Sequence, residues 1–141
     1  MASEDKFKDN VVMLKKGDFD NELKLKKDGK IVILYFANWC GHCQHLKPDY
    51  QKLADSANGF TVATVDADNN EGLIEKIQSM GDNAEYQVQG FPTIVSYDNG
   101  KYFSTYGPSQ GEGGKKFRTF EDLMEYANGV GSAEITYVDR R

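Results

Sequence analysis

The feature that most constrains the fold is a run of seven consecutive apolar residues, 31–37, with a helical pattern close behind it. The run is rich in β-branched and aromatic residues and follows an Asp28-Gly29 turn signal. It does not alternate with polar residues, which is typical of a central strand buried on both faces. Over residues 40–57 apolar residues instead recur near one helical face, with Pro48 predicting a kink. The sequence therefore predicts a buried strand that leads directly into a helix.

Similar patterns predict the other elements. They are a strand over 11–14, a helix carrying Phe19, Leu23 and Leu25, a strand over 60–65, a helix around Leu73, Ile74 and Ile77, strands over 93–97 and 101–106, and a last helix with Leu123, Met124 and Ala127. Asp98-Asn99-Gly100 predicts a hairpin, because Asn-Gly tolerates positive φ at both central positions. Crossover helices imply parallel strands and the hairpin implies an antiparallel pair. We therefore expect a three-layer α/β/α sandwich with a central mixed sheet.

Composition and charge exclude several classes of protein. The 141 residues are 39% hydrophobic and 28% charged, which rules out disorder for most of the chain. The net charge is −5, and residues 31–100 carry the excess, with 3 lysines against 9 acids. Nucleic acids and anionic membrane surfaces select basic patches, and none occurs here. We therefore expect neither as a partner, and we expect a monomer.

The sequence also bears on localisation. The longest apolar run is far shorter than the about 18 residues of a membrane-spanning helix. The first ten residues are polar and acidic, unlike a signal peptide, and the last five, YVDRR, are not a retention signal. As the chain stands we expect a cytoplasmic protein. Removal of a signal peptide would instead place it in the endoplasmic reticulum lumen or another oxidising compartment.

Both cysteines lie in one pentapeptide, Trp39-Cys40-Gly41-His42-Cys43, where the predicted strand gives way to the predicted helix. A sulfur at the start of a helix meets unsatisfied N–H groups and the positive end of the helix dipole, which favour thiolate over thiol. Protonated His42 adds positive charge nearby, Gly41 lets the backbone pass closely, and Trp39 offers an apolar wall. One helical turn separates the cysteines, so Cys43 can resolve a mixed disulfide formed at Cys40. The pattern predicts a redox-active pair.

Other uses of these residues fit the sequence less well. A structural zinc site needs four tetrahedrally arranged ligands, and the candidates here crowd into the six residues 40–45. Haem attachment needs a histidine where Gln44 stands. A structural disulfide between Cys40 and Cys43 would close too small a loop to stabilise the fold much. His45 is expected to be a solvated helix residue, so we predict no metal.

The W-C-G-H-C motif in this strand-helix setting resembles the active site of protein disulfide isomerase domains of the thioredoxin superfamily. The resemblance covers roughly residues 10–129, including Phe19, Pro48 and the segment from Val88 to Thr93. It implies a thioredoxin-like domain over 10–129, preceded by a polar segment 1–9 and followed by a tail 130–141. Within this domain the glycine-rich composition after Tyr106 predicts a flexible loop at 107–117. It also implies that Pro92 is cis and faces the cysteines. Substrate peptide would then pair beside it as an added strand, through Gly90, Phe91, Pro92 and Thr93, with Trp39 on the other side.

The sequence departs from the family's pattern in three places. Leu34 stands where the family usually has a buried acid six residues before the first cysteine, so deprotonation of Cys43 is expected to be slower or relayed by water. The family's Tyr-x-Gly-x-Arg pattern is interrupted after Gly107 by a long loop. Arg118 is then either the displaced arginine, modulating the site, or a solvated residue at a helix start. The third departure is the tail, which has no counterpart.

The resemblance implies a thiol-disulfide oxidoreductase with weak isomerase activity that uses the Cys40–Cys43 couple and no other cofactor. Its partners would be protein dithiols and disulfides and a redox partner. Histidine between the cysteines favours a potential nearer the about −180 mV of disulfide isomerase than the about −270 mV of thioredoxin. The alternative is a redox-gated binding module, in which the surface around Trp39, Phe91 and Pro92 holds a partner and the cysteines act as a switch.

Overall fold

The computed structural model describes residues 7–107 and 119–131. In this part of the chain there are five strands and three α-helices: β1 (Val12–Leu14), β2 (Lys30–Phe36), α1 (Gly41–Asp55), β3 (Thr61–Asp66), α2 (Glu71–Met80), β4 (Thr93–Asp98), β5 (Lys101–Thr105) and α3 (Phe120–Asn128). None of these helices has the length and apolar character needed to cross a membrane. The predicted loop after Gly107 and the tail after Gly131 lie outside the described residues.

The strands form one mixed sheet in the order β1-β3-β2-β4-β5. The first three strands are mutually parallel where they pair, whereas β4 runs antiparallel to β2 and β5 antiparallel to β4. The predicted buried strand is β2, which lies at the centre of the sheet with residues 31–36 all buried. The long apolar run is explained by this position, because side chains on both faces of β2 are covered.

Helices cover both faces of the sheet. Side chains from α1 and α3 share one buried cluster with Val32, Leu34 and Phe36 of β2. Side chains from α2 share a second cluster with Ile33 and Tyr35, which point to the opposite face because successive strand residues alternate. The predicted three-layer sandwich is confirmed. Helix α1 continues through Pro48, and the kink predicted there stays a prediction.

The predicted hairpin joins β4 to β5. Asp98 pairs with Lys101, and the two turn residues Asn99 and Gly100 have φ values of 52° and 88°. Position 100 also needs glycine for space, since a Cβ there would lie 2.8 Å from the carbonyl oxygen of Leu25. The prediction from Asn-Gly is confirmed.

The helix predicted from Phe19, Leu23 and Leu25 is wrong. The three side chains are buried, but the backbone forms a short 3-10 turn at Lys16–Asp18 and then an irregular loop in which Leu23 has a φ of 66°. Asp20 explains the difference, because its carboxylate accepts hydrogen bonds from two nearby backbone N–H groups, those of Glu22 and Lys24, at 2.8 and 2.9 Å. An aspartate that bonds its own backbone in this way favours a turn over a helix.

Buried tyrosines tie this loop and the segment before β4 to the sheet. The hydroxyls of Tyr35 and Tyr86 are 2.7 Å apart, those of Tyr86 and Tyr97 are 2.9 Å apart, and Tyr97 donates to the carbonyl of Leu23 at 2.7 Å. On the other face, the Tyr50 hydroxyl reaches the carbonyl of Ala63 at 2.7 Å. Each buried hydroxyl is therefore satisfied, and removal of a partner would leave a costly unpaired group.

These tyrosines predict that the fold loses stability at alkaline pH. Burial raises the pKa of Tyr35, Tyr50, Tyr86 and Tyr97 above the ordinary value near 10. Below pH 10 both folded and unfolded chains keep these protons. Above pH 10 only the unfolded chain loses them, so the free energy of unfolding should fall by about 1.4 kcal/mol per pH unit for each such tyrosine. Urea unfolding at pH 9, 10 and 11 measures this fall.

Absorbance at 295 nm separates tyrosine ionisation from lysine titration in the same pH range. We expect the four buried phenols to ionise together with the loss of circular dichroism. Ionisation of all eight tyrosines while the chain stays folded would contradict the prediction.

Candidate active site

Cys40 lies at the junction between β2 and α1 and caps the helix. Its backbone is extended, with φ −87° and ψ 117°, and its Sγ accepts a hydrogen bond from the N–H of Cys43 at 3.2 Å. The N-cap acceptor is usually the oxygen of Ser, Thr, Asp or Asn. Here a sulfur takes that place, at the positive end of the helix dipole. The Cys40 sulfur thus lies at the start of the helix, where the sequence predicts it.

The two cysteines differ in exposure. Cys40 is 6% exposed and Cys43 is 0% exposed, and no disulfide joins them in this structure. Cys43 is three residues after Cys40, so it lies on the same side of the first helical turn. Cys40 is therefore the more accessible of the two sulfurs, and Cys43 lies behind it.

The segment before β4 contacts Cys40 through the carbonyl of Phe91. The Phe91-Pro92 peptide bond is cis, as the resemblance to protein disulfide isomerases implied. The Cys40 thiol donates to the Phe91 carbonyl at 3.3 Å, which places this segment directly beside the first cysteine. Thr93 closes the turn through a hydrogen bond of 2.7 Å from its hydroxyl to the Gly90 carbonyl. The predicted substrate-binding segment and the cysteine pair therefore meet in one site.

A cleft of about 420 Å³ opens along this segment. Its lining residues carry no formal charge and come from the segment before β4 and from the end of β5: Gln87, Gln89, Gly90, Phe91, Pro92, Thr93, Ile94, Thr105 and Tyr106. All four residues of the predicted substrate-binding segment, Gly90 to Thr93, are among them. The cleft has room for a few residues of an extended peptide, and one of its lining residues, Phe91, accepts the hydrogen bond from Cys40.

Trp39 forms the opposite wall of the site and is held by a residue that the sequence analysis missed. Its side chain is 72% exposed, and its ring stands edge-on to Phe91 at 5.8 Å. The indole N–H donates to Asp68 at 3.2 Å, and the same carboxylate accepts the N–H of Asn38 at 3.3 Å. Asp68 follows β3, the parallel neighbour of β2. Adjacent parallel strands end at the same edge of the sheet, and that signal was available in the sequence.

Both histidines of the chain are on the surface. His42, inside the motif, and His45, two residues after it, are exposed on α1. Within residues 7–107 and 119–131, no group of three or more His, Cys, Asp or Glu side chains is placed to hold a metal ion. Arg118 lies outside the described residues, so its role as a modulator stays a prediction.

The surroundings of Cys43 are apolar. Leu34 is 0% exposed and belongs to the same buried cluster as Cys40 and Cys43. The buried residues of the described part of the chain include no carboxylate and no lysine. A proton that leaves Cys43 therefore has no buried carboxylate on β2 to accept it.

Comparisons with known proteins agree with this geometry. Residues 10–122 match the model of the Thioredoxin family. The chain is 34% identical over 122 residues to protein disulfide isomerase-like 2-2 of Oryza sativa subsp. japonica, covering 84% of this chain and 28% of that protein. It is 32% identical over 130 residues to the probable protein disulfide-isomerase A6 of Medicago sativa, covering 90% of this chain and 31% of that protein. The chain thus spans less than a third of the length of these relatives.

Solved structures of similar fold include domains of protein disulfide isomerases. The solution structure of the first thioredoxin domain of mouse protein disulfide-isomerase A4 superposes with a TM-score of 0.64 at 26% identity, covering 96% of this chain and 86% of that one. Human ERp44 form I shares the fold, with a TM-score of 0.62 at 18% identity, covering 87% of this chain and 30% of that one. Because the family model covers most of the sequence, the chain belongs to the thioredoxin family.

Proposed function

We propose that this chain is a thiol-disulfide oxidoreductase of the protein disulfide isomerase type, which acts on protein dithiols and disulfides through Cys40 and Cys43. One observation carries the proposal: the sulfur at the helix start is bonded by the Cys43 N–H and lies beside the carbonyl that precedes cis Pro92. Relatives named protein disulfide isomerases support the same class of reaction.

The reaction needs two exchanges at sulfur. The Cys40 thiolate attacks one sulfur of a substrate disulfide, and the other substrate sulfur leaves as a thiolate that takes up a proton. Cys43 then loses its proton and attacks Cys40, which forms the Cys40–Cys43 disulfide and releases the second substrate thiol. Two electrons pass from the dithiol to the substrate, and the reverse sequence oxidises a substrate dithiol.

The site presents substrate mainly through backbone. Gly90 is exposed, and Phe91, Pro92 and Thr93 are partly exposed, so an extended peptide can pair with this segment. When Cys40 enters a mixed disulfide, it no longer donates to the Phe91 carbonyl. That carbonyl then becomes an acceptor for a substrate N–H. Recognition of this kind depends little on substrate side chains, as general disulfide exchange requires.

The couple needs no cofactor or metal besides its own two sulfurs, but it does need a redox partner that resets it. In a reducing cytoplasm the glutathione pool would hold the pair as a dithiol and the chain would act as a reductant. In the endoplasmic reticulum lumen it would oxidise and exchange substrate disulfides. Weak isomerase activity is expected for a single domain of this family.

Cysteine variants test the proposal. We expect Cys40→Ser to abolish reduction of insulin disulfides, because the attacking thiolate is lost. Cys43→Ser should keep the first attack and accumulate a mixed disulfide, visible by mass spectrometry under non-reducing conditions. Reduction of insulin by Cys40→Ser at the wild-type rate would overturn the proposal. Loss of reduction with unchanged partner binding would favour the redox-gated binding module instead.

A second prediction concerns the missing carboxylate. Leu34→Glu places a proton acceptor in the cluster that contains Cys43, and general acid-base catalysis contributes about 10²-fold or more where proton transfer limits a step. We expect faster oxidation of substrate dithiols, measured by stopped flow, and a lower free energy of unfolding, because a buried carboxyl group is costly. Leu34→Gln is the matched control without an acid. Equal rates for the two variants would show that position 34 does not limit turnover.

A third prediction concerns Asp68. Asp68→Ala removes the acceptor of the Trp39 indole, so the ring should reorient and the KM for peptide disulfides should rise about two- to tenfold, with the free energy of unfolding lowered by about 1 kcal/mol. Trp39 is the single tryptophan of the chain, so fluorescence anisotropy reports its motion directly. Glu71→Ala, an exposed acid at the start of α2, is the control. Unchanged anisotropy and KM in Asp68→Ala would contradict the assignment.

A further inference from the structure

A lysine lies beside the buried cluster that contains both active-site sulfurs. The Nζ of Lys47 is 5.2 Å from the centre of the Phe36 ring. Phe36 is 4% exposed and belongs to the same cluster as Cys40 and Cys43. Lys47 itself is partly buried. Its ammonium group is therefore held against the edge of the active-site cluster instead of extending into solvent.

Helical geometry directs Lys47 toward the second cysteine. Lys47 is four residues after Cys43 within α1, so the two side chains lie on the same face of the helix. Long side chains in a helix also lean toward its N-terminus. For Lys47 this is the direction of the turn that carries Cys43. Cys43, whose sulfur must become a thiolate in the second exchange, is therefore the residue one helical turn from Lys47 on this side.

The segment that precedes β1 holds Lys47 in this position. Phe7 packs edge-on against Phe36 at 6.0 Å and against Tyr50 at 5.8 Å, and its ring centre is 5.7 Å from the Lys47 ammonium. One turn further along α1, Gln51 accepts the N–H of Lys8 at 2.8 Å. The sequence places residues 1–9 in a polar segment, yet Phe7 forms part of the wall beside the active-site cluster.

The buried cluster that contains Cys43 has few titratable members in the described part of the chain. Its members from β2 and β3 are uncharged: Val32, Leu34, Phe36 and Val62. His42 is exposed on the outer side of the first turn, and Asp68 is bonded to Trp39. The titratable members of the cluster, besides Cys43 itself, are Cys40 and the phenols of Tyr50, Tyr106 and Tyr126. Phenols are neutral at pH 7, so Lys47 is the cation that helical geometry directs at Cys43.

We propose that Lys47 is an electrostatic positioning residue for Cys43. Its ammonium group stabilises the Cys43 thiolate that resolves the mixed disulfide, at a site where Leu34 offers no carboxylate. The proposal rests on the function proposed above. In this step the Cys43 thiol gives its proton to water and the thiolate attacks the Sγ of Cys40. The bond from Cys40 to the substrate sulfur breaks, and the substrate thiolate takes up a proton. Lys47 keeps its own protons throughout.

Three lysine variants isolate the charge. Lys47→Met keeps most of the apolar stem and removes the ammonium group, whereas Lys47→Arg restores a cation. Lys52→Met is the matched control, because Lys52 is on the same helix and its Nζ lies 4.8 Å from the centre of the Phe120 ring. It thus makes the same kind of contact against α3. All three are made in a Cys40→Ser background, which leaves Cys43 as the single cysteine.

The measurement is the rate at which iodoacetamide alkylates Cys43 between pH 5.5 and 10. We expect Lys47→Met to move the midpoint of the rate profile to higher pH and to slow alkylation at pH 7 by about three- to tenfold. Lys47→Arg should stay within about twofold of the parent, and Lys52→Met should match it. The difference should shrink at about 1 M salt, because added ions screen a partly exposed charge.

The outcomes separate this inference from the proposed function. An unchanged midpoint in Lys47→Met would overturn the inference even if the free energy of unfolding falls, because a structural role alone does not move the midpoint. Alkylation uses no disulfide substrate, so a shifted midpoint upholds the interaction with Cys43 whatever the insulin assay shows. Failure of the wild-type chain to reduce insulin would overturn the proposed function alone. In the intact couple, Lys47→Met should also slow resolution of a mixed disulfide by a similar factor.

Discussion

The hydrogen bond from the Cys43 N–H to the Cys40 sulfur is the contact on which the site depends. It exists because β2 ends at Phe36 and α1 begins at Gly41, so that Cys40 occupies the cap position between them. The central position of β2 holds this junction in place, because its side chains are buried on both faces of the sheet. The most apolar strand of the sheet thus fixes the position of Cys40, the proposed attacking cysteine.

The other walls of the site come from separate elements that end at the same edge of the sheet. The Phe91 carbonyl reaches Cys40 from the start of β4, and Asp68 holds Trp39 from the loop after β3. Each contact joins residues about 30 to 50 positions apart in the chain. The surroundings of Cys40 and Trp39 therefore depend on residues at the ends of neighbouring strands. The W-C-G-H-C segment alone does not form the site.

The environment of the second cysteine departs from the family's pattern in a consistent way. Leu34 makes the buried cluster more apolar, which favours the fold but offers no acceptor for the Cys43 proton. A cation at the edge of the same cluster, held by Phe7 and Phe36, compensates by favouring the anion instead of accepting the proton. In this chain the group proposed to assist Cys43 therefore lies on α1 instead of on β2.

Much of this protein follows from its sequence alone. The apolar run 31–37, the Asn-Gly hairpin and the W-C-G-H-C motif predict the central strand, the mixed sheet and the reactive pair, because each depends on local spacing or on an intrinsic backbone preference. The helix predicted from Phe19, Leu23 and Leu25 is a loop in the structure. The Asp20 carboxylate accepts hydrogen bonds from nearby backbone N–H groups, and such bonds can override helical spacing. The sequence places Asp68 at the same edge of the sheet as Trp39, but the hydrogen bond between them is seen only in the tertiary structure, as is the contact of Lys47 with Phe36. Each of these contacts joins residues from two different elements. Which side chains meet is therefore determined by how the strands and helices pack against one another.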